Sequence, residues 1–280
     1  MSLVPFTEML RDAKEHHYTI GAFNILNMET IQAVLSASEK MKAPVILQVF
    51  HSHVDYAGAD YLAAMAAVGA NKSKYPVCLS LDHGQDFQQA KTCVDQGFTG
   101  VMIDLATSNY DENVRTTTKV VDLAHKKGVS VEAELGQIFL ASCPLEVRNS
   151  GMTNPEIAAK FAKDTNIDAL AVSIGTAHGF YSSKPSIDYP RLKKILDLVG
   201  CPIVVHGGSN TPDDDIRAMV KMGISKLNIG TDLMAAFEKG MQDAMKVGEY
   251  IDIQEVLEAG IANEEKVCCE KIKLLTMYKE

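Results

Sequence analysis

Eight short apolar runs, each nearly continuous in Val, Ile, Leu and Ala, recur along the chain at residues 19–25, 44–49, 77–82, 100–104, 130–135, 169–174, 202–205 and 226–229. A strand with one wet face alternates apolar and polar residues, whereas unbroken runs mark strands covered on both faces. Helical patterns fill the gaps, so the strands are parallel and the helices cover them. Asn154-Pro155-Glu156 supplies an N-cap, an N1 proline and an acidic first turn; Thr211-Pro212-Asp213-Asp214-Asp215 reads the same way. That acidic triplet is therefore taken as a helix start that suits the helix dipole, not as a metal site. Gly97, Gly128 and Gly223 stand where helices must stop before the next strand. Eight β/α units in 280 residues, with no break in composition, predict one domain over 1–280 of class α/β, a TIM (β/α)8 barrel.

Composition narrows the function. With 46% hydrophobic and 22% charged residues the chain has the balance of a globular protein. A formal charge of −9, with no stripe rich in Lys and Arg, argues against nucleic acid as a partner. The longest apolar stretch, Ala57 to Ala70, contains Asp60 and is too short to cross a membrane, which needs about 20 residues. Met1 to Leu10 has no basic start followed by an apolar region, so a cytoplasmic location is expected. The six cysteines form no C-x-x-C pair and are read as reduced, mostly buried residues.

Active sites of such barrels lie at the C-terminal ends of the strands. There the chain carries Asn24, Asp82-His83, Asp104, Glu132, Glu134, His178, His206 and Asn228. Three of the runs share one construction, an apolar stretch, then His, then Gly: LSLDHG, AVSIGTAHG and IVVHGG. His83, His178 and His206 are 95 and 28 residues apart, so their convergence depends on the barrel. If they converge, three imidazoles make a metal site with an open position, which suits zinc and is compatible with Fe or Co. Neighbouring strand residues point to opposite faces, so Asp82 is given a different task from His83, that of general acid/base. Asp104 and Glu134 could bind a second cation, hold the imidazoles, or form salt bridges in the barrel mouth. Asn24 is placed toward the substrate. Gly207-Gly208-Ser209 and Asn228-Ile229-Gly230-Thr231 end the last two runs, where bare backbone N–H groups and a helix N-terminus commonly bind phosphate. Lys184 could add the counter-charge. His51 and His53 are read as a loop leading into a helix, and His16, His17 and His125 as helix surface; none is given a role.

At these residues the sequence resembles the class II, metal-dependent ketose-bisphosphate aldolases, which include fructose- and tagatose-bisphosphate aldolases. The likeness runs through GAFN (21–24), PVILQV (44–49), LDHG (81–84), VMID (101–104), VEAELG (131–136), IGTAHG (174–179), HGGS (206–209) and KLNIGTD (226–232). The resemblance implies zinc on His83, His178 and His206, with Asp82 as acid/base on the hydroxyl at the bond being broken. It further implies a second divalent or monovalent cation at Asp104 and Glu134. The dihydroxyacetone-phosphate half would be held by Gly179, Lys184, Gly207, Gly208, Ser209, Asn228, Ile229, Gly230 and Thr231. The substrate would be a phosphorylated sugar such as fructose or tagatose 1,6-bisphosphate, and the assembly a homodimer or homotetramer with contacts through residues 251–277. A zinc-stabilised enediolate makes a Schiff-base lysine unnecessary. None of the eight runs is expected to carry an interior lysine, since Lys226 starts the last at the opposite end.

The chain also departs from the family. Phe50 stands where Ser or Thr is usual, Leu105-Ala106 replaces Gly-Ser, and Asn210 and Gly230 are further changes. The loop after VEAELG reads QIFLASCP where the family carries Gly-Gly-x-Glu-Asp, leaving Glu146 as a candidate acid. Alternatives are an aldolase for a non-standard ketose phosphate and a phosphosugar-binding barrel without catalysis. A metal-dependent hydrolase fits less well, because the first run ends in Phe23-Asn24 and lacks H-x-H.

Overall fold

The computed structural model describes residues 2–181, 184–246 and 252–276. Eight parallel strands close into a barrel in sequence order: β1 (Ile20–Asn24), β2 (Val45–Phe50), β3 (Val77–Asp82), β4 (Gly100–Ile103), β5 (Ser130–Leu135), β6 (Ala169–Val172), β7 (Ile203–Val205) and β8 (Lys226–Ile229). The fold is the expected TIM barrel, and three strands keep the limits read from sequence. The others differ at their ends, where flanking apolar residues such as Ile25 and Ile174 leave the ladder yet stay buried. Closure comes from β1 against β8, with Ala22 opposite Asn228. Across β2 and β3, Phe50 is opposite Asp82, which sets an aromatic ring beside the candidate acid.

Two apolar clusters explain the composition of the strands. Residues such as Val45, Leu47, Val49, Leu79 and Leu81 pack outward against the helices. Their neighbours Ile46, Cys78, Met102, Ala169, Ala171 and Val204 fill the barrel together with Phe6, Met9, Leu10 and Ala13 of the first helix, Phe6–Glu15. That helix plugs the N-terminal end, and Thr7 anchors it to Ser130 of β5 through backbone and hydroxyl contacts of 3.0 and 2.6 Å. Gly100 makes room for it, because a Cβ there would lie 2.6 Å from the Phe6 ring. The larger of these, Phe6, Met9, Leu10, Ile46 and Val204, contribute roughly 1.5–3 kcal/mol each by burial.

The helix Pro155–Thr165 begins as expected, with Asn154 accepting from the N–H groups of Glu156 and Ile157. The helix Asp213–Met222 starts one residue later than expected, with Pro212 as N-cap. Thr211 is drawn away from capping because its hydroxyl donates to Gly207 O at 2.8 Å. His51 and His53 lie inside a helix, His51–Ala57, and not in a loop. His125 ends a helix and sits 2.8 Å from Asp168, while His16 and His17 follow the first helix. Gly97, Gly128 and Gly223 all have positive φ, as helix ends require. No helix of the described residues is long and apolar enough to cross a membrane. All six cysteines are free, and Cys78, Cys93 and Cys268 are buried.

Candidate active site

The C-terminal end of the barrel holds a cleft of about 480 Å³, lined among others by Asn24, Asp82, His83, His178, Gly179, Gly207, Ser209, Asn228, Gly230 and Thr231. The chain thus brings together most of the residues singled out in the sequence. β3 ends at Asp82, and His83 then adopts a left-handed conformation, φ 48°, that is uncommon outside glycine. This turn puts both side chains on the same cleft, so the expected opposition of strand neighbours is overridden where the strand ends.

The three imidazoles converge. His206 Nδ1 lies 2.9 Å from His83 Nε2, and ring centroids of His83 stand 4.9 Å from His178 and 4.7 Å from His206. One ring nitrogen from each falls within 4.8 Å of the others. Burial and the nearby His83 hold His178 down to about 4 and His206 well below the usual imidazole value, so both are neutral and offer lone pairs. Burial opposes charge on His83 too, but Asp82, Asp104 and Glu134 outweigh it and push its pKa up to about 10. The pocket is built for one positive charge among three carboxylates, and a divalent cation meets that demand as well as a proton does. The donor set therefore fits zinc.

Asp82 is buried, which by itself would raise its pKa, but His83, His206 and Lys226 overturn that and keep it below the usual carboxylate value. Asn24 Nδ2 donates to Asp82 Oδ2 at 2.9 Å, and Asn228 Nδ2 to Oδ1 at 3.2 Å. The Oδ1 atom is 3.8 Å from His83 Nε2. A carboxylate so placed is ionised and fixed beside the imidazoles. Asp104 Oδ2 is 2.7 Å from His83 Nδ1 and orients that ring. Glu134 Oε2, buried and without a hydrogen-bond partner, faces the same nitrogen at 3.7 Å. Burial and the neighbouring Asp104 raise the Glu134 pKa well above its ordinary value. Since His83 Nδ1 is already bonded, this second cluster offers a cation two carboxylates.

Gly207 has φ 74°, and a Cβ there would fall 2.3 Å from Ala177 O, so only glycine lets the His206 turn press against the His178 turn. At Gly230 a Cβ would come within 2.8 Å of Asn24 Oδ1, so the glycine leaves room for the Asn24 side chain. The Ser209 hydroxyl accepts from the N–H groups of Gly230 and Asp232 at 3.2 and 3.1 Å and ties the two glycine-rich turns together. Thr231 begins the helix Thr231–Ala244, which points its N-terminus at the cleft. Gly208 lies behind this lining, its N–H given to Asn228 O at 2.9 Å, and Ile229 is fully buried, so its side chain takes no part. Lys184 is drawn away, its Nζ 3.3 Å from Asp215 and outside the cleft lining. Lys271, which sequence reading did not single out, pairs with Asp232 at 2.9 Å beneath the turns.

The loop after β5 is clamped to the His178 turn, with His178 N donating to Phe139 O at 3.0 Å and Ala141 N to His178 O at 2.8 Å. Glu146 sits exposed on the short helix Leu145–Ser150, away from the cleft lining. Phe50, Leu140, Phe180 and Met234 make an apolar outer wall with Glu238, and His53 also reaches it. Lys226, expected at the wrong end to matter, is buried inside the barrel at 1% exposure.

The chain as a whole is similar to known proteins. The family model for class II fructose-bisphosphate aldolases matches residues 4–279. This chain belongs to that family. The fructose-bisphosphate aldolase of Geobacillus stearothermophilus is 39% identical over 250 residues, which cover 88% of this chain and 86% of that one. That of Thermus caldophilus is 40% identical over 260 residues, 84% of this chain and 85% of the relative. Among solved structures, the YdjI aldolase of Escherichia coli K12 superposes with a TM-score of 0.86 at 29% identity, covering 98% of this class II aldolase and 97% of the other chain. The chain is an aldolase, a carbon–carbon lyase of carbohydrate metabolism whose substrate is a phosphorylated sugar.

Proposed function

We propose that residues 1–280 form one aldolase domain in which Asp82 is the acid/base, His83, His178 and His206 hold zinc, and the glycine-rich turns hold the phosphate of a dihydroxyacetone-phosphate half. The observation that carries this reading is an ionised carboxylate, held by two amides, beside three converging imidazoles. Asp82 accepts the proton of the hydroxyl on the carbon that becomes the aldehyde. The electron pair of the broken C–C bond stays on the carbon next to the ketone. Zinc, when bound, supplies Lewis-acid stabilisation of that negative charge. Asn24 and Asn228 keep the Asp82 oxygens aimed, and Asp104 and Glu134 offer the place for a second cation. Gly179, Gly207, Ser209, Gly230 and Thr231 line the phosphate end; Gly208 and Ile229 support it from behind, and Lys184 reaches it by leaving Asp215.

Measuring dihydroxyacetone phosphate released from a panel of ketose mono- and bisphosphates, with and without chelator, tests this. Release from at least one sugar that stops on chelation and returns with zinc is expected. Stoichiometric zinc with no release from any sugar would instead make the protein a phosphosugar-binding barrel. A second reading, that the far end of the ketose carries no phosphate, is supported by the outer wall of Phe50, Leu140, Phe180 and Met234 with the acidic Glu238. Among the described residues no Lys or Arg lines that cleft. A ketose 1-phosphate is then expected to exceed the 1,6-bisphosphate in kcat/KM by about tenfold, the effect of roughly one like-charge contact.

We further take the enzyme to work in the cytoplasm, as its free cysteines suit, and as a homodimer or homotetramer. The helix Ile253–Thr276, whose Ile253 is exposed, is the proposed contact; residues 251 and 277 lie outside the described residues. Sedimentation at micromolar concentration tests the assembly.

A further inference from the structure

A line of three buried side chains runs from the barrel interior to the imidazole cluster. Lys226 Nζ lies 2.7 Å from Glu132 Oε2, and Glu132 Oε1 lies 3.0 Å from His206 Nε2. Each of the three side chains is at most 1% exposed. An ammonium can only donate and a carboxylate can only accept, so the proton between Glu132 and His206 sits on the ring nitrogen Nε2. With Nε2 protonated, the neutral ring keeps its lone pair on Nδ1, and Nδ1 is the atom that faces His83 at 2.9 Å. Asn228 Nδ2 also approaches Nε2 at 3.0 Å while giving one of its two hydrogens to Asp82 Oδ1, but an Nε2 lone pair would face the Glu132 carboxylate, which can only accept, so the proton stays on Nε2.

We propose that Glu132 and Lys226 are positioning residues that fix His206 in the tautomer and ring orientation in which Nδ1 can bind a metal ion. The proposal rests on the reading of the three imidazoles as a zinc site. A lone buried carboxylate is costly, and Lys226 supplies the counter-charge that lets Glu132 lie under the ring. The three imidazoles are held differently. His83 is aimed by Asp104, His206 by Glu132, and His178 through its backbone alone among the hydrogen bonds of the described residues.

The test uses the full chain and zinc itself. Zinc affinity is measured by competition with a chromophoric chelator for wild type, Glu132→Gln and the uncharged pair Glu132→Gln/Lys226→Met, with circular dichroism to confirm folding. The folded double variant is expected to bind zinc 10–100-fold more weakly, as losses of such orienting partners do. Affinity within threefold of wild type would overturn the proposal. Wild type that binds no stoichiometric zinc would overturn the metal reading itself, and this proposal with it. Nitrogen NMR of the wild-type histidines gives a check that needs no variant: His206 must carry its proton on Nε2, and a proton on Nδ1 would overturn the assignment.

Discussion

Two regions of this molecule bury carboxylates, and they do so in opposite ways. Inside the barrel Asp82 and Glu132 are each held by two partners, Asp82 by Asn24 and Asn228 and Glu132 by His206 and Lys226. In the C-terminal helix Ile253–Thr276, Glu264 is fully buried with neither oxygen hydrogen-bonded, and burial alone pushes its pKa up to about 9. The first arrangement keeps charge and aims it; the second discards charge by keeping the proton. Depth therefore does not mark a working acid. What marks it is a set of donors that would have no purpose without the charge.

The largest effect should come from Asp82→Ala, which removes the aimed charge. We expect at least a 100-fold loss in kcat, in the range for a general acid/base, with zinc content unchanged. A loss under tenfold would put Asp82 on a par with Glu264 and dissolve the contrast. Asn228→Ala leaves Asp82 in place but strips one donor from it, and about a tenfold loss in kcat is expected. Retained activity would mean that Asn24 suffices.

The variant with the smallest effect on activity sharpens the other side. Glu264→Gln should stabilise the fold at pH 8 by on the order of 3 kcal/mol, because the amide is neutral in both states and escapes the linkage cost of holding a proton above the ordinary carboxylate value. The sign follows from a folded pKa above the unfolded one: stability is fully present below about 4.5 and is lost as pH rises toward about 9. Thermal midpoints should thus show a clear gain at pH 8 that shrinks at pH 5. An equal gain at both values would show that Glu264 is not held neutral.

The barrel was legible because its strands are apolar on both sides, a pattern that few other folds permit. The three histidines were legible because each ends such a run before a glycine. Glu132 and Lys226 were harder to assign: inside a barrel every second residue faces inward, and nothing local distinguishes a polar residue that closes a core from one that serves the cleft. Lys226 was misplaced for that reason, since its distance along β8 from the mouth ignores the reach of a four-carbon side chain. The outer wall escaped because Leu140, Phe180 and Met234 come from three loops or helices, and no spacing joins them. Lys184 was a matter of direction: sequence placed it near the cleft, and Asp215 turned its head elsewhere.

The helix Phe6–Glu15 is made before the residues that seat it. Phe6 rests on Gly100, Thr7 on Ser130, and the floor it closes includes Val204. Synthesis must run as far as Val204 before this helix can settle on its whole seat. Its apolar face therefore depends on contacts distant in sequence, the kind that chain topology makes slow to form.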